Sequence, residues 1–392
     1  MDLDIWLHAV KERVLSRAGY RIETMPESAQ RLPLSPSQSQ GPLFESAPLR
    51  LSHRQIDPTK LEAWQNTARA KLCTLLKLPQ NRSRPTIVEA MPPIDANGIR
   101  RRTFYLSMAN GRCVPVTFLN NILSPGTTKR RQTPILLFQG GSASGVYLSW
   151  GEARQAIDLR RIREVGADMG RQAAKLGWTV VCVEQFGYGD RSERLRLPLT
   201  PGCKTADAFA AGVLVGESLV GERVKDLCGV VDWLCSGADG LDEAKTIDLK
   251  RITLFGHSSG GTTAIYTAAV DERIQACIAS GCLGFIRETL TTRRSGEGDA
   301  IVPNILEWME MDSIVALIAP RIFLTLSGES DHIWPISGGY DVVQEALPVW
   351  RKLGNPKSVS VASCPGGHRP YPAETWRLME KHITWFPKQG ND

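Results

Sequence analysis

From residue 134 onward the chain alternates between two hydrophobic rhythms. Short runs dominated by apolar residues occur at Ile135 to Gln139, Thr179 to Glu184, Arg251 to Phe255, Ala276 to Ser280, Arg321 to Leu326 and Ser358 to Ala362. Such runs read as strands, and strands covered on both faces lose the simple in–out alternation. Between and after them lie helix-compatible stretches at Leu159 to Leu176, Gly216 to Cys235, Ser259 to Val270, Gly339 to Leu353 and about Glu374 to Trp385. Strands alternating with helices predict an α/β fold with a mainly parallel central sheet and helices on both faces. In such sheets, chemistry belongs beyond the carboxyl ends of the strands.

The first 120 residues follow a different pattern. Leu3 to Leu15 places Ile5, Trp6, Val10, Val14 and Leu15 at helical spacing. Pro26 to Pro48 is rich in Ser, Pro and Gln and reads as a linker. Asp57-Pro58 opens a helix running to about Leu78, with Asp57 as N-cap and Pro58 in the first turn. Arg101 to Leu106 and Val114 to Asn120 are strand-like and separated by Asn110-Gly111, a hairpin signal. The expected organisation is a helical extension over 1–85, with a mobile linker near 26–50, and an α/β domain over 86–392. A lid-like insertion at 281–320 interrupts that domain.

Three strand ends carry candidate chemistry. Gly256-His-Ser-Ser-Gly260 follows an apolar strand and precedes a helix-compatible run, the strand–turn–helix context of a nucleophile elbow with Ser258 at its tip. Glycines suit the sharp turn, because a Cβ at Gly256 or Gly260 would crowd it. A serine hydroxyl needs a base, and His368 follows the strand Ser358 to Ala362. Asp331 follows the strand ending at Leu326 and is the expected orienting acid, with Glu329 in the same loop as its substitute. The chain order Ser258, Asp331, His368 is that of the α/β-hydrolases. His332 should point away from its neighbour's direction, and His257 is too close in sequence to reach back to Ser258. His8, His53 and His382 are expected at the surface or in packing roles. The oxyanion donors are expected to be the N–H groups of Ser259 and of Gly141, in the glycine-containing loop after the first core strand. Tyr147, Tyr188 and Trp334 follow strand ends, and Phe285 and Trp308 lie in the insertion; these are the candidate substrate contacts, with simple packing the alternative for the last two. Arg191 to Arg196 is basic, and a solvated charge run is its ordinary reading.

Composition narrows the field. A content of 42% hydrophobic and 22% charged residues over 392 positions is ordinary for a soluble globular chain. The net charge of +6 comes without a basic cluster interleaved with aromatics, so a nucleic-acid surface is not indicated. The nine scattered cysteines include no C-x-x-C pair, which suits a reducing compartment. The N-terminus lacks a signal-peptide pattern and no apolar stretch approaches 18 residues, so a cytoplasmic protein without a membrane span is expected. No metal or organic cofactor is expected, and homo-oligomerisation is left open.

Several stretches together resemble one group of proteins. Gly216-Glu-Ser-Leu-Val-Gly-Glu-Arg223 with Asp226 and Val231-Asp-Trp-Leu234, the elbow with Ala268 to Ile274, and Asp312 to Arg321 leading into Gly328 to Pro335 are similar to segments of acetyl-xylan-esterase-like and dienelactone-hydrolase-like α/β-hydrolases. Glu184-Gln-Phe-Gly-Tyr-Gly189 resembles their Asp-x-x-Gly-x-Gly loop, with Glu in place of Asp. The likeness spans roughly Thr59 to Phe386. It implies the α/β-hydrolase fold and a serine carboxylic-ester hydrolase that takes a small-molecule ester through an acyl-enzyme. Serine at 258, where dienelactone hydrolases carry cysteine, disfavours that reaction. The Arg-Gly-Gln and His-Glu signatures of the sugar deacetylases are absent, so acetyl xylan is not implied as substrate. The same triad would serve an amide or peptide hydrolase or a biosynthetic acyltransferase. A non-catalytic binding protein on the same fold is the alternative from another class.

Overall fold

The computed structural model describes residues 32, 36–81, 83–109, 111–122, 134–139, 144–193, 205–245, 247–288 and 301–387. The expected helix Leu3 to Leu15 lies outside them. Chain contacts divide the molecule into two units, 1–47 and 48–392. In the first, Pro36–Glu45 forms a helix (α1) within the stretch read as a linker. Pro36 at its first turn is pre-set for helical φ, and the Ser46 hydroxyl returns a hydrogen bond to the Pro42 carbonyl.

The second unit holds everything else described. Its helix α2, Leu61–Leu75, starts just after Asp57, whose carboxylate accepts the Thr59 N–H. Leu61, Trp64, Ala68 and Leu72 of α2 are buried in the main core, and the Arg69 guanidinium donates to the carbonyls of Ala269 and Leu317. The division therefore falls at 47/48 and not at 85, because the apolar face of α2 is part of the α/β core. The strands are β1 Thr86–Ala90, β2 Ile94–Ala96, β3 Ile99–Ser107, β4 Cys113–Asn121, β5 Pro134–Gln139, β6 Thr179–Val183, β7 Ile252–His257, β8 Ile274–Ser280, β9 Ile322–Gly328 and β10 Val359–Cys364. They form one sheet in the order β1-β3-β4-β6-β5-β7-β8-β9-β10, with β2 on β3. Pairing from β6 through β10 is parallel, and the β1 to β4 edge is antiparallel.

Short β1 and β2 are mostly exposed and lack an apolar run, so hydrophobic pattern alone does not reveal them. Asn97-Gly98, both at positive φ, makes the tight turn between β2 and β3 and is the signal that could have found it. The expected helix over Leu159 to Leu176 is two, α3 Ala156–Val165 and α4 Met169–Lys175, because Gly166 at φ 64° closes the first. Next come α5 Ala206–Leu214, α6 Leu219–Cys235, α7 Ser259–Val270, α8 Met311–Ala316, α9 Ile336–Lys352 and α10 Pro372–His382. Helix α6 begins at 219 and not 216 because the Ser218 hydroxyl accepts the Gly221 N–H as its cap.

Successive residues of the central strands serve two separate cores. Val181, Val183, Leu254, Cys277, Ala279 and Phe323 join the cluster with α2, α6, α7, α8 and α9. Val180, Cys182, Phe255, Ala276, Ile278 and Leu324 join the cluster with α4 and Met379 of α10. Period-two alternation is thus present, but both faces are apolar, which is why these strands read as unbroken hydrophobic runs. Spatially, β6 and β7 flank β5, so the winding direction reverses there and opens a crevice at the carboxyl ends. No described helix is long and apolar enough to cross a membrane.

Candidate active site

The nucleophile position is built by close approach of backbone. Ser258 sits at φ 56°, ψ −126°, between the last residue of β7 and the first of α7. That conformation costs roughly 1–3 kcal/mol for a residue with a side chain and persists only where surroundings impose it. Here a Cβ on Gly256 would come within 2.1 Å of the Gly260 carbonyl oxygen, and one on Gly261 within 2.4 Å of Cys282 Sγ. The Ser258 N–H donates to the Ser280 carbonyl at 2.8 Å, tying the turn to the end of β8. Helix α7 is buried along its whole length, and its small residues let it lie directly on β7 and β8.

The base and acid arrive on neighbouring loops. Asp331 follows β9 and His368 follows β10, strands paired in parallel from Val359/Phe323 to Cys364/Gly328. Gly328 lets the two loops close on each other: a Cβ there would come within 2.2 Å of the Gly366 carbonyl. The N–H groups of Glu329 and Ser330 donate to the carbonyls of Cys364 and Gly366, and the Tyr371 hydroxyl donates to the Gly367 carbonyl. Within this frame His368 Nδ1 lies 2.9 Å from Asp331 Oδ2, and His368 Nε2 lies 3.0 Å from Ser258 Oγ. A carboxylate only accepts, so Nδ1 carries the proton and bare Nε2 faces the serine hydroxyl.

Asp331 is 4% exposed, yet stays in the carboxylate form. Burial pushes its pKa up, but the hydrogen bond from His368 and the N–H donors of Trp334 and Ile333 outweigh this and hold it below the usual value. The Ser327 hydroxyl lies 3.2 Å from Oδ2, its single proton shared with the Trp334 carbonyl at 2.7 Å. The rival acid Glu329 faces outward, and its carboxylate accepts from the Ser363 hydroxyl. His332 is exposed. The structure therefore gathers Ser258, Asp331 and His368 in one hydrogen-bonded line.

Ser259 occupies the first position of α7, where the N–H groups of a first turn have no intrahelical acceptor. Gly141 lies outside the described residues. Trp334 is joined directly to the acid through its N–H, and its carbonyl accepts from Ser327. Tyr147 packs on Trp150 at 4.9 Å, lies under Arg154, and donates its hydroxyl to Asp190. Tyr188 is buried beneath the Arg223 guanidinium. Phe285 lies under Arg54, and Trp308 lies under Lys71 and Arg50, so the insertion packs these two rings beside α2 and the segment leading to it.

Three groups that sequence reasoning had set aside or passed over belong to this neighbourhood. His257 stacks on His368 with ring centroids 5.1 Å apart. Gln185 accepts from the Thr263 hydroxyl of α7, joining the loop after β6 to the back of the elbow. Glu184, 1% exposed, fits between Gly145 and Gly189, accepts the Val146 N–H, and is pushed by burial to a pKa of about 8. The Glu-for-Asp substitution in its loop was the available signal. Among the described residues no group of three or more His, Cys, Asp and Glu side chains is gathered as metal ligands would be. A separate pocket of about 330 Å³ lies between Lys77, Pro85, Met108, Arg112 and the Glu222 to Asp232 side of α6, and none of the triad residues lines it.

This sheet, with a serine elbow after β7, an acid after β9 and a histidine after β10, is the α/β-hydrolase fold. No protein-family model matches the chain. Over 200 residues, half of this chain, it is 26% identical to YtaP of Bacillus subtilis (strain 168), a candidate hydrolase; the aligned part spans 61% of that protein. Among solved structures it is similar to a candidate acetyl xylan esterase from Bacteroides fragilis, with TM-score 0.67 and 17% identity over 91% of this chain and 92% of that one. A glucuronoyl esterase from Solibacter usitatus gives TM-score 0.58 and 15% identity over 82% and 93%. An acetyl xylan esterase from Paenibacillus sp. R4 gives 0.52 and 18% over 92% and 100%.

Proposed function

We propose that the chain is a serine carboxylic-ester hydrolase acting on a small-molecule ester. The observation that carries this is the unbroken line Ser258 Oγ, His368, Asp331, with links of 3.0 and 2.9 Å at the carboxyl rim of a parallel sheet. Its likeness to esterase structures and to a candidate hydrolase supports the reading.

In the proposed reaction Ser258 Oγ attacks the ester carbonyl as His368 Nε2 takes its proton. The negative charge on the carbonyl oxygen is met by the Ser259 N–H and, on the sequence expectation, by that of Gly141. Asp331 holds the imidazole in the required tautomer and stabilises the imidazolium. His368 then gives its proton to the departing alkoxide, which leaves as the alcohol. Water, deprotonated by the same nitrogen, attacks the acyl-enzyme, and the acid departs with Ser258 restored. Every proton moves through His368, so no metal or redox partner is required by the balance.

A series of p-nitrophenyl esters of increasing acyl length tests this and measures acyl-pocket depth together. Wild type is expected to hydrolyse at least the acetyl ester with turnover, and S258A to lose about a thousandfold or more of that rate. A folded wild type that hydrolyses none of the series at a rate above S258A would overturn the reading.

A further inference from the structure

Two hydrogen bonds leave an imidazole one freedom. Both lie near the ring plane, so they fix the line joining Nδ1 and Nε2 but resist tilting about that line only weakly. In His368 this line runs from Asp331 to Ser258. Something must bear on the ring's face if the plane is to hold while the proton crosses. His257 does so, its ring lying at 5.1 Å and 29° to that of His368.

His257 is well placed to act as a fixed wall. It is the last residue of β7, 6% exposed, and its Nδ1 is 3.1 Å from the Ser280 hydroxyl. Gly281, at φ 59°, runs along the edge of both rings: a Cβ there would lie 3.1 Å from His257 Cε1 and 3.4 Å from His368 Cε1. We propose, on the hydrolase reading above, that His257 is a positioning residue for the general base, its flat neutral ring setting the plane in which His368 exchanges the proton.

The charges around the pair suit this role. Asp331, from the loop after β9, is the anion facing His368 and favours protonation of His257 too; Ser280, the last residue of β8, and Gly281 after it bring no charge. Arg161 of α3 acts on His257 and opposes its protonation, as does His368 itself. Burial is the largest influence and keeps His257 neutral down to a pH of about 3. A second cation beside the imidazolium formed during acylation would oppose that step, and a histidine that stays neutral avoids it.

The test is the rate of Ser258 labelling by a fluorophosphonate between pH 5 and 9, in wild type, H257F and H257L, with thermal unfolding as the folding check. Phenylalanine keeps a flat face, and leucine fills the space without one. H257F is expected to label within about threefold of wild type and with the same pH midpoint. H257L is expected to label about tenfold more slowly across the range. On a p-nitrophenyl ester its kcat should fall while KM holds. Equal losses in both variants, or a loss in neither, would overturn the proposal. A folded wild type that does not label at all would instead remove the hydrolase reading on which it rests.

Discussion

Among the described residues, serine, histidine and aspartate come together around His368 and again around His53, and the two arrangements differ in the way a catalytic triad would require. At the first, Ser258 and Asp331 sit on opposite nitrogens of His368. At the second, His53 Nδ1 is 3.0 Å from Ser313 Oγ and Nε2 is 2.8 Å from the Glu345 carbonyl. A carbonyl only accepts, so Nε2 carries the proton and the Ser313 hydroxyl donates to Nδ1 while accepting the His53 N–H. Asp312 lies 3.9 Å from that same Nδ1 and is engaged by Arg54 at 2.7 Å. The acid therefore stands on the serine's side of the ring, and no carboxylate backs the far nitrogen. Ser313 is 1% exposed inside α8, whereas Ser258 is half-buried on a strained turn at a strand end. The residue types are the same. What differs is which nitrogen meets the acid, and whether a carbonyl carbon could reach the oxygen.

That contrast is sharpest in activity. S258A and H368A are each expected to lower ester hydrolysis by about a thousandfold or more with folding intact, and S313A to leave kcat within twofold. D331N should approach the loss seen in H368A, because an amide can present its N–H to Nδ1 and favour the wrong tautomer. D312N should leave kcat nearly unchanged. Steady-state assays on folded samples check all five.

In stability the order reverses. H53A removes a buried ring and strands Ser313, so urea unfolding should show a loss of about 2–3 kcal/mol, with fluorophosphonate labelling of the folded fraction retained. H368A, at the half-open rim, should lose less than about 1 kcal/mol. His53 and His257 are both depressed below 6.5, mainly by burial, His257 to about 3. Their unfolded forms bind protons where the folded forms do not, so stability falls as pH drops below about 6.5. For His257 the slope approaches about 1.4 kcal/mol per pH unit, and His53 adds to it in the same direction. H53Q should reduce that slope in urea titrations between pH 6.5 and 5. The smallest effect is expected from removing residues 1–47, which should leave activity within twofold. Cutting instead at 53 should destabilise, since Arg50 and Leu51 donate their N–H groups to Glu307 and Trp308.

The same contrast explains what could be read from the chain. Ser258 was legible because its elbow is local: the glycines at 256 and 260 and the flanking strand and helix are contiguous. Asp331 and His368 were legible through a topological rule, since each follows a strand. His53 was not, because its partners at 312, 313 and 345 lie more than 250 residues away, and nothing near position 53 marks it as buried. Adjacency in sequence sets His257 only against Ser258, whereas its partner is the ring at 368. From sequence helix α2 reads as part of an extension, since amphipathic spacing shows that a face is covered but not by what. The exposed strands β1 and β2 bury too little to leave a hydrophobic signature.

The most direct measurement is peptide mapping of the intact protein after fluorophosphonate treatment. One adduct is expected, on the peptide containing Ser258, absent in S258A and unchanged in S313A. An adduct on Ser313, or a folded wild-type protein carrying none, would contradict the account.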